Sequence, residues 1–109
     1  MENNLRKLME IPDNYEIFFM HGGATGVFAS IALNLLKNKA DYIVTGNFSK
    51  KAAQEASKYG EVNIIYDGKD NGYSTIPDIS ELTFDDDADY VHLCANNTIY
   101  GTEWKTNFR

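Results

Sequence analysis

Apolar residues come in short clusters along the chain, and the spacing inside each cluster changes from one to the next. Leu5, Leu8 and Met9 recur at helical intervals after Asn3 and Asn4, either of which can cap. Residues 4 to 10 therefore read as a short helix ended by Ile11-Pro12, and "PDN" turns the chain. Ile17 to Met20 is a continuous apolar run of strand length. The stretch "HGGATG" follows it, and then Val27, Phe28, Ile31, Ala32 and Leu35 fall on one helical face.

The unit then repeats. "DYIVTG" at 41 to 46 has the strand pattern, and Ala52, Ala53, Ala56 and Tyr59 form a helical stripe ending at Gly60, with Ser49 or Asn47 as the cap. "VNIIY" at 62 to 66 predicts a third strand. "DGKDNGYSTIPDISELTFDDDAD" is rich in turn formers and reads as a long irregular connection, and "YVHLCAN" at 90 to 96 supplies a fourth strand. Strands alternating with helices imply an α/β fold around a mainly parallel sheet, whose ligands gather at the carboxyl ends of the strands. Three such ends are present: "HGGATG", "TGNFS" and "ANNTIYGT". No linker composition divides the chain, so no domain boundary is placed.

Composition narrows the choice of partners. The 109 residues carry a formal charge of −6, with 16 acidic against 10 basic side chains and no basic block. No footprint for a nucleic-acid backbone exists. No apolar stretch reaches the roughly 18 residues that span a bilayer, and "MENNLRKLMEI" lacks a signal-peptide layout, so no membrane partner and a cytoplasmic location are expected. The one cysteine, Cys94, lies in an apolar run and reads as a structural thiol rather than a nucleophile.

Glycines let the backbone approach a ligand closely, and a helix starting just after them aims unpaired N–H groups and its positive dipole end at the same point. A phosphate or carboxylate is the natural guest of "HGGATG". Its spacing fits neither a dinucleotide-binding nor a Walker loop, so a plain strand-to-helix turn stands as an equal alternative. Phe48, at a strand end and helix start, offers a face to a planar ring, or else simply packs in the core. "NNTIYGT" offers amides and hydroxyls for a polar ring substituent, or else simply turns the chain. The acidic run Asp85, Asp86, Asp87 and Asp89 lacks calcium-loop spacing and reads as a solvated approach to the fourth strand. His21 and His92 lack partners at metal-site spacing, and His92 is expected to be a satisfied structural histidine. No metal site is assigned.

Taken together, "NLRKLMEIPDNYEIFFMHGGATGVFASIALNLL", "ADYIVTGNFSKKAAQEASKYG", "VNIIYDGKD" and "IPDISELTFDDDADYVHLCANNTIYGTEW" resemble, in order and nearly end to end, an internal segment of the phosphoserine aminotransferase family. These are pyridoxal-phosphate enzymes of the aspartate-aminotransferase fold type. The resemblance implies that residues 1–109 form part of the cofactor-binding large domain. It places backbone groups of Ala24 and Thr25 on the cofactor phosphate, with Gly22 and Gly23 shaping the loop. It places Phe48 against the pyridine ring, where tryptophan is usual, and Thr98 beside the ring's 3-oxygen. His21, where many relatives carry glutamine, and "GATG" in place of a serine-threonine pair are further departures.

The resemblance also implies what is missing. The family's Schiff-base lysine and the acid facing the pyridine nitrogen align with nothing here, and Lys7, Lys37, Lys39, Lys50, Lys51, Lys58, Lys69 and Lys105 are given no catalytic role. The family converts 3-phosphohydroxypyruvate and glutamate to phosphoserine and 2-oxoglutarate in serine biosynthesis. This chain is expected to be a noncatalytic portion of such an enzyme, with the cofactor belonging to the parent. A partial parallel sheet exposes strand edges and apolar faces, so a homo-oligomer is expected. The rival reading is a small stand-alone α/β domain that binds anions or docks to a protein.

Overall fold

A computed structural model of the chain describes residues 1–20 and 22–105. It is an α/β structure. The elements run α1 (Glu2–Met9), α2 (Ala24–Leu35), β1 (Lys39–Val44), α3 (Asn47–Ala56), β2 (Glu61–Asp67), β3 (Val91–His92), β4 (Asn96–Asn97) and β5 (Thr102–Glu103), with 3-10 turns at Gly68–Asn71 and Ile79–Glu81. β2, β1 and β3 form one parallel sheet in that order, and β4 pairs antiparallel with β5.

β1 is the central strand. Ala40 to Val44 are all buried, as expected of a parallel strand covered on both faces. Three small side chains of α3, Ala52, Ala53 and Ala56, are buried against it and let the helix approach closely. Phe28 and Ala32 of α2 join the same cluster. Tyr42 fills the space on the β3 side: its ring stacks on His92 with centroids 4.8 Å apart, and its hydroxyl lies 2.8 Å from that of Tyr90. Burial first, and then the Tyr90 hydroxyl, hold the Tyr42 phenol neutral well above its usual range.

The region before β3 is tied to β1 by carboxylates. Asp41 is buried in mid-strand, where it accepts from Asn63 Nδ2 at 2.9 Å and from the Asp85 N–H at 2.7 Å. The Asp85 carboxylate pairs with Lys39, and the Asp89 carboxylate accepts from the N–H groups of Lys37 and Asn38 at 2.7 and 2.6 Å. The acidic run is thus only partly a solvated face. Two of its members replace the ladder that the two-residue β3 is too short to supply.

Several expectations need correction. Residues 17–20 form no strand: Phe18 is 79% exposed, with Phe19 and Met20 also in solvent, because no neighbouring strand among the described residues offers them a ladder. α1 begins at Glu2, with Met1 rather than an asparagine at the N-cap, and the Arg6–Glu2 pair spans its first turns. The stripe of α2 buries Phe28 and Ala32 but leaves Val27 and Leu35 exposed. The fourth strand shrinks from 90–96 to Val91–His92.

Candidate functional site

The first loop ends at Gly23, the N-cap of α2, in extended conformation and with no side-chain cap. Gly23 O accepts from Gly26 and Val27, so the N–H groups of Ala24 and Thr25 in the first turn have no partner among the described residues. Gly22, Gly23 and Gly26 show no left-handed backbone, and a side chain built on any of them would meet open space. No packing among the described residues calls for glycine there. Bare backbone facing open space is what an oxyanion held by N–H groups needs. A hollow of about 550 Å³ opens at this point, lined by Phe18, Met20, Gly23, Thr25, Val27 and Ser30 among others. His21 lies outside the described residues.

The second loop joins β1 to α3. Gly46 is its N-cap, in place of the expected Asn47 or Ser49. Ser49 works from inside the helix: its buried Oγ accepts from the N–H groups of Thr45 and Gly46 at 2.9 Å each and donates to Gly46 O at 3.0 Å. That is the N3 half of a capping box, here without a side chain at the cap. Phe48, the second helical residue, is 40% exposed, and the Lys51 ammonium sits 5.6 Å from its ring centroid.

The third loop is the tight turn between β4 and β5. Asn97 O accepts from Tyr100 N at 3.1 Å and Gly101 N at 2.8 Å, and Gly101 takes φ 71, which favours glycine. Thr98 is the exposed first residue of that turn. Tyr100 packs on the buried Tyr73, centroids 4.9 Å apart, which props the turn from below.

The second and third loops meet. The Asn97 amide, 5% exposed, donates to Thr45 Oγ1 at 3.0 Å and Thr102 Oγ1 at 3.1 Å. Of the five residues expected at the site, Phe48 and Thr98 therefore sit on loops that touch. Gly23 and Thr25 line the separate hollow of the first loop, Ala24 starts the helix behind it, and neither Phe48 nor Thr98 lines that hollow. In the sequence Ser49 reads only as a helix cap, and Thr45 and Asn97 only as members of strand-end loops; all three are buried polar groups that fix these loops. A run of small polar residues at a strand end was the available signal.

His92 corrects another expectation. Its ring is packed between Tyr42 and Phe28, yet Nδ1 is buried without a hydrogen-bond partner among the described residues. Burial pushes His92 below its ordinary value of 6.5. The unfolded chain therefore takes up this proton first, and stability present above about pH 6.5 drains away as pH falls toward the folded value. Denaturant midpoints compared between about pH 7.5 and 5.5 should fall in the wild type and fall less in His92→Phe. Equal slopes in the two proteins would remove His92 as the cause. Cys94 is half-buried, and burial raises its thiol, in keeping with a structural role. No group of three or more metal-ligating side chains occurs among the described residues, and no helix there is long and apolar enough to cross a membrane.

Comparison with known proteins bears on these loops. Residues 1–107 match the family model described as Aminotransferase class-V. The phosphoserine aminotransferase of Ralstonia nicotianae is 49% identical over 108 residues, which cover 94% of this chain and 29% of the relative. A solved phosphoserine aminotransferase, described for radiation damage of its Schiff base, superposes with TM-score 0.85 at 42% identity over 98% of this chain and 30% of its own. The pyridoxal-phosphate-bound enzyme from Trichomonas vaginalis does so with TM-score 0.78 at 29% identity, over 98% of this chain and 31% of its own. The chain spans less than a third of the length of each of these relatives.

Proposed function

The chain belongs to the class-V aminotransferase family, and we propose that it is a portion of the pyridoxal-phosphate-binding domain of a phosphoserine aminotransferase, carrying part of the cofactor site and none of the transaminating groups. The parent would move an amino group between glutamate and 3-phosphohydroxypyruvate in serine biosynthesis. The observation that carries this reading is the first loop. Among the described residues, three glycines that no packing contact requires stand beside two N–H groups without a partner at a helix start, in a chain whose relatives are phosphoserine aminotransferases.

Gly23, Ala24 and Thr25 would hold the cofactor phosphate, Phe48 would lie against the ring, and the Thr98 hydroxyl would face a ring oxygen. When bound, the cofactor supplies an electron sink for bonds breaking at the amino-bearing carbon. The chain's own residues bind and orient the ring. None of its lysines is assigned the covalent link. Lys51 lies over Phe48 but emerges from the same helix one turn later, where its cation–π contact accounts for it.

The test is titration of the purified chain with pyridoxal phosphate, followed by borohydride reduction and peptide mass analysis, with glutamate turnover assayed in parallel. Saturable binding with no turnover and no single labelled lysine is the expected result. A stoichiometric adduct on one lysine, with glutamate-dependent turnover, would overturn the noncatalytic reading. Equal affinity for inorganic phosphate and for the cofactor would favour the alternative, a small anion-binding domain, which the self-contained lining of the first hollow supports. The cytoplasmic compartment belongs to the same proposal and is checked by cell fractionation.

Self-association belongs to it too. The chain presents 7886 Å² of accessible surface, ~1,800 Å² more than a compact monomer of its mass would show. A second copy pairing over the exposed apolar side chains would cover such an excess.

A further inference from the structure

Gly46 has φ −179, an extended conformation open to any residue, so its lack of a side chain has another cause. A Cβ there would lie 2.7 Å from Asn97 Oδ1 and 3.3 Å from Tyr100 Cδ2. The Asn97 carboxamide occupies the place where a side chain at 46 would begin. It is held there from both sides. Nδ2 donates to the Thr45 and Thr102 hydroxyls, the Thr45 hydroxyl lies 3.3 Å from Oδ1 and donates to it, and the backbone carbonyl of Asn97 accepts from Tyr100 and Gly101.

Asn97 thus has a grip on both site loops. Through Thr45 and Gly46 it reaches the stretch that Ser49 pins, two residues before Phe48. Through its own carbonyl and Thr102 it closes the turn in which Thr98 comes next. A buried amide in that position is demanding, because each of its donors left unpaired would be desolvated with nothing in return.

We propose that Asn97 is a positioning residue: its carboxamide, admitted by the absence of a side chain at Gly46, sets the placement of Phe48 relative to Thr98, and so the chain's grip on the ring of an aromatic phosphate rather than on its phosphate. The proposal rests on the cofactor-site reading given above. It separates two halves of that site. The glycine loop serves the phosphate, and the Asn97 latch serves the ring.

The test compares wild type with Asn97→Ala, Gly46→Ala and the milder Thr45→Val, using pyridoxal phosphate and inorganic phosphate as separate probes. The latch predicts that pyridoxal phosphate binds about tenfold or more weakly to the variants, the cost of one or two lost hydrogen bonds, while inorganic phosphate binds as before. Parallel loss of both ligands, tracking a fall in melting temperature, would reduce Asn97 to a structural role and overturn the proposal. Unchanged affinity for pyridoxal phosphate would do the same. Should wild type bind neither probe, the cofactor-site reading fails, and the latch is judged by nuclear magnetic resonance. Phe48 ring and Thr98 methyl signals moving together in Thr45→Val and Gly46→Ala support it, and signals that stay in place overturn it.

Discussion

Replacing Tyr42 by alanine is expected to bring the chain to the edge of unfolding. The side chain is buried in the central strand, stacks on His92, meets Tyr90 edge-on and pairs hydroxyls with it. Emptying an aromatic site in a core costs ~3–5 kcal/mol, against the ~5–15 kcal/mol that holds an ordinary domain together. Tyr42→Phe keeps the packing and loses only the hydroxyl pair, about 0.5–1.5 kcal/mol. Urea denaturation followed by circular dichroism separates the two. An alanine variant within about 1 kcal/mol of wild type would mean that β1 is not the packing centre.

The second large effect concerns assembly. The chain should run in light scattering at twice the 12.3 kDa of a single copy or more. Phe19 and Leu33 are exposed, and neither lines the hollow of the glycine loop. Burying a side chain of this kind is worth ~1.5–3 kcal/mol, so losing both from an interface would weaken association by a factor of about 10²–10⁴. Phe19→Gln/Leu33→Gln should therefore shift the mass to the monomer with the circular dichroism spectrum unchanged. A wild-type mass equal to one chain at high concentration would rule the assembly out.

How much was legible in the sequence follows from what each signal depends on. β1, α3 and β2 were readable because their partners lie within a few tens of residues, and local periodicity then agrees with tertiary packing. Ile17 to Met20 misled for the opposite reason: the apolar run states a preference for a sheet, but only a neighbouring strand can satisfy it. The fourth strand is shorter than its pattern suggests because "YVHLCAN" is mostly apolar, and apolarity does not reveal where hydrogen bonding stops. Phe48 and Thr98 could be placed at loop ends from their surroundings and from family resemblance. The bonds that Asn97, Thr45 and Ser49 make could not be read, because a buried polar network depends on which groups meet across long separations, and residue type alone describes turns just as well. Asp41 shows the same limit. A charged residue beginning an apolar run looks like a strand edge, whereas it sits in the middle of the sheet, joined to Asn63 and Asp85.

β1 gains its two neighbours on unequal terms, and this bears on the order in which the molecule can assemble. Asp41 and Asn63, across β1 and β2, are 22 positions apart in the chain, and Tyr42 and Tyr90 are 48 apart. The longer closure costs only ~0.7 kcal/mol more in chain entropy. Return on that closure differs more: β2 offers six register pairs and a helix packed above them, and β3 offers two. The β1-α3-β2 unit is therefore the kernel that can form early. The 85–92 segment closes afterwards as a clasp, fastened by Asp41, Asp85 and Asp89.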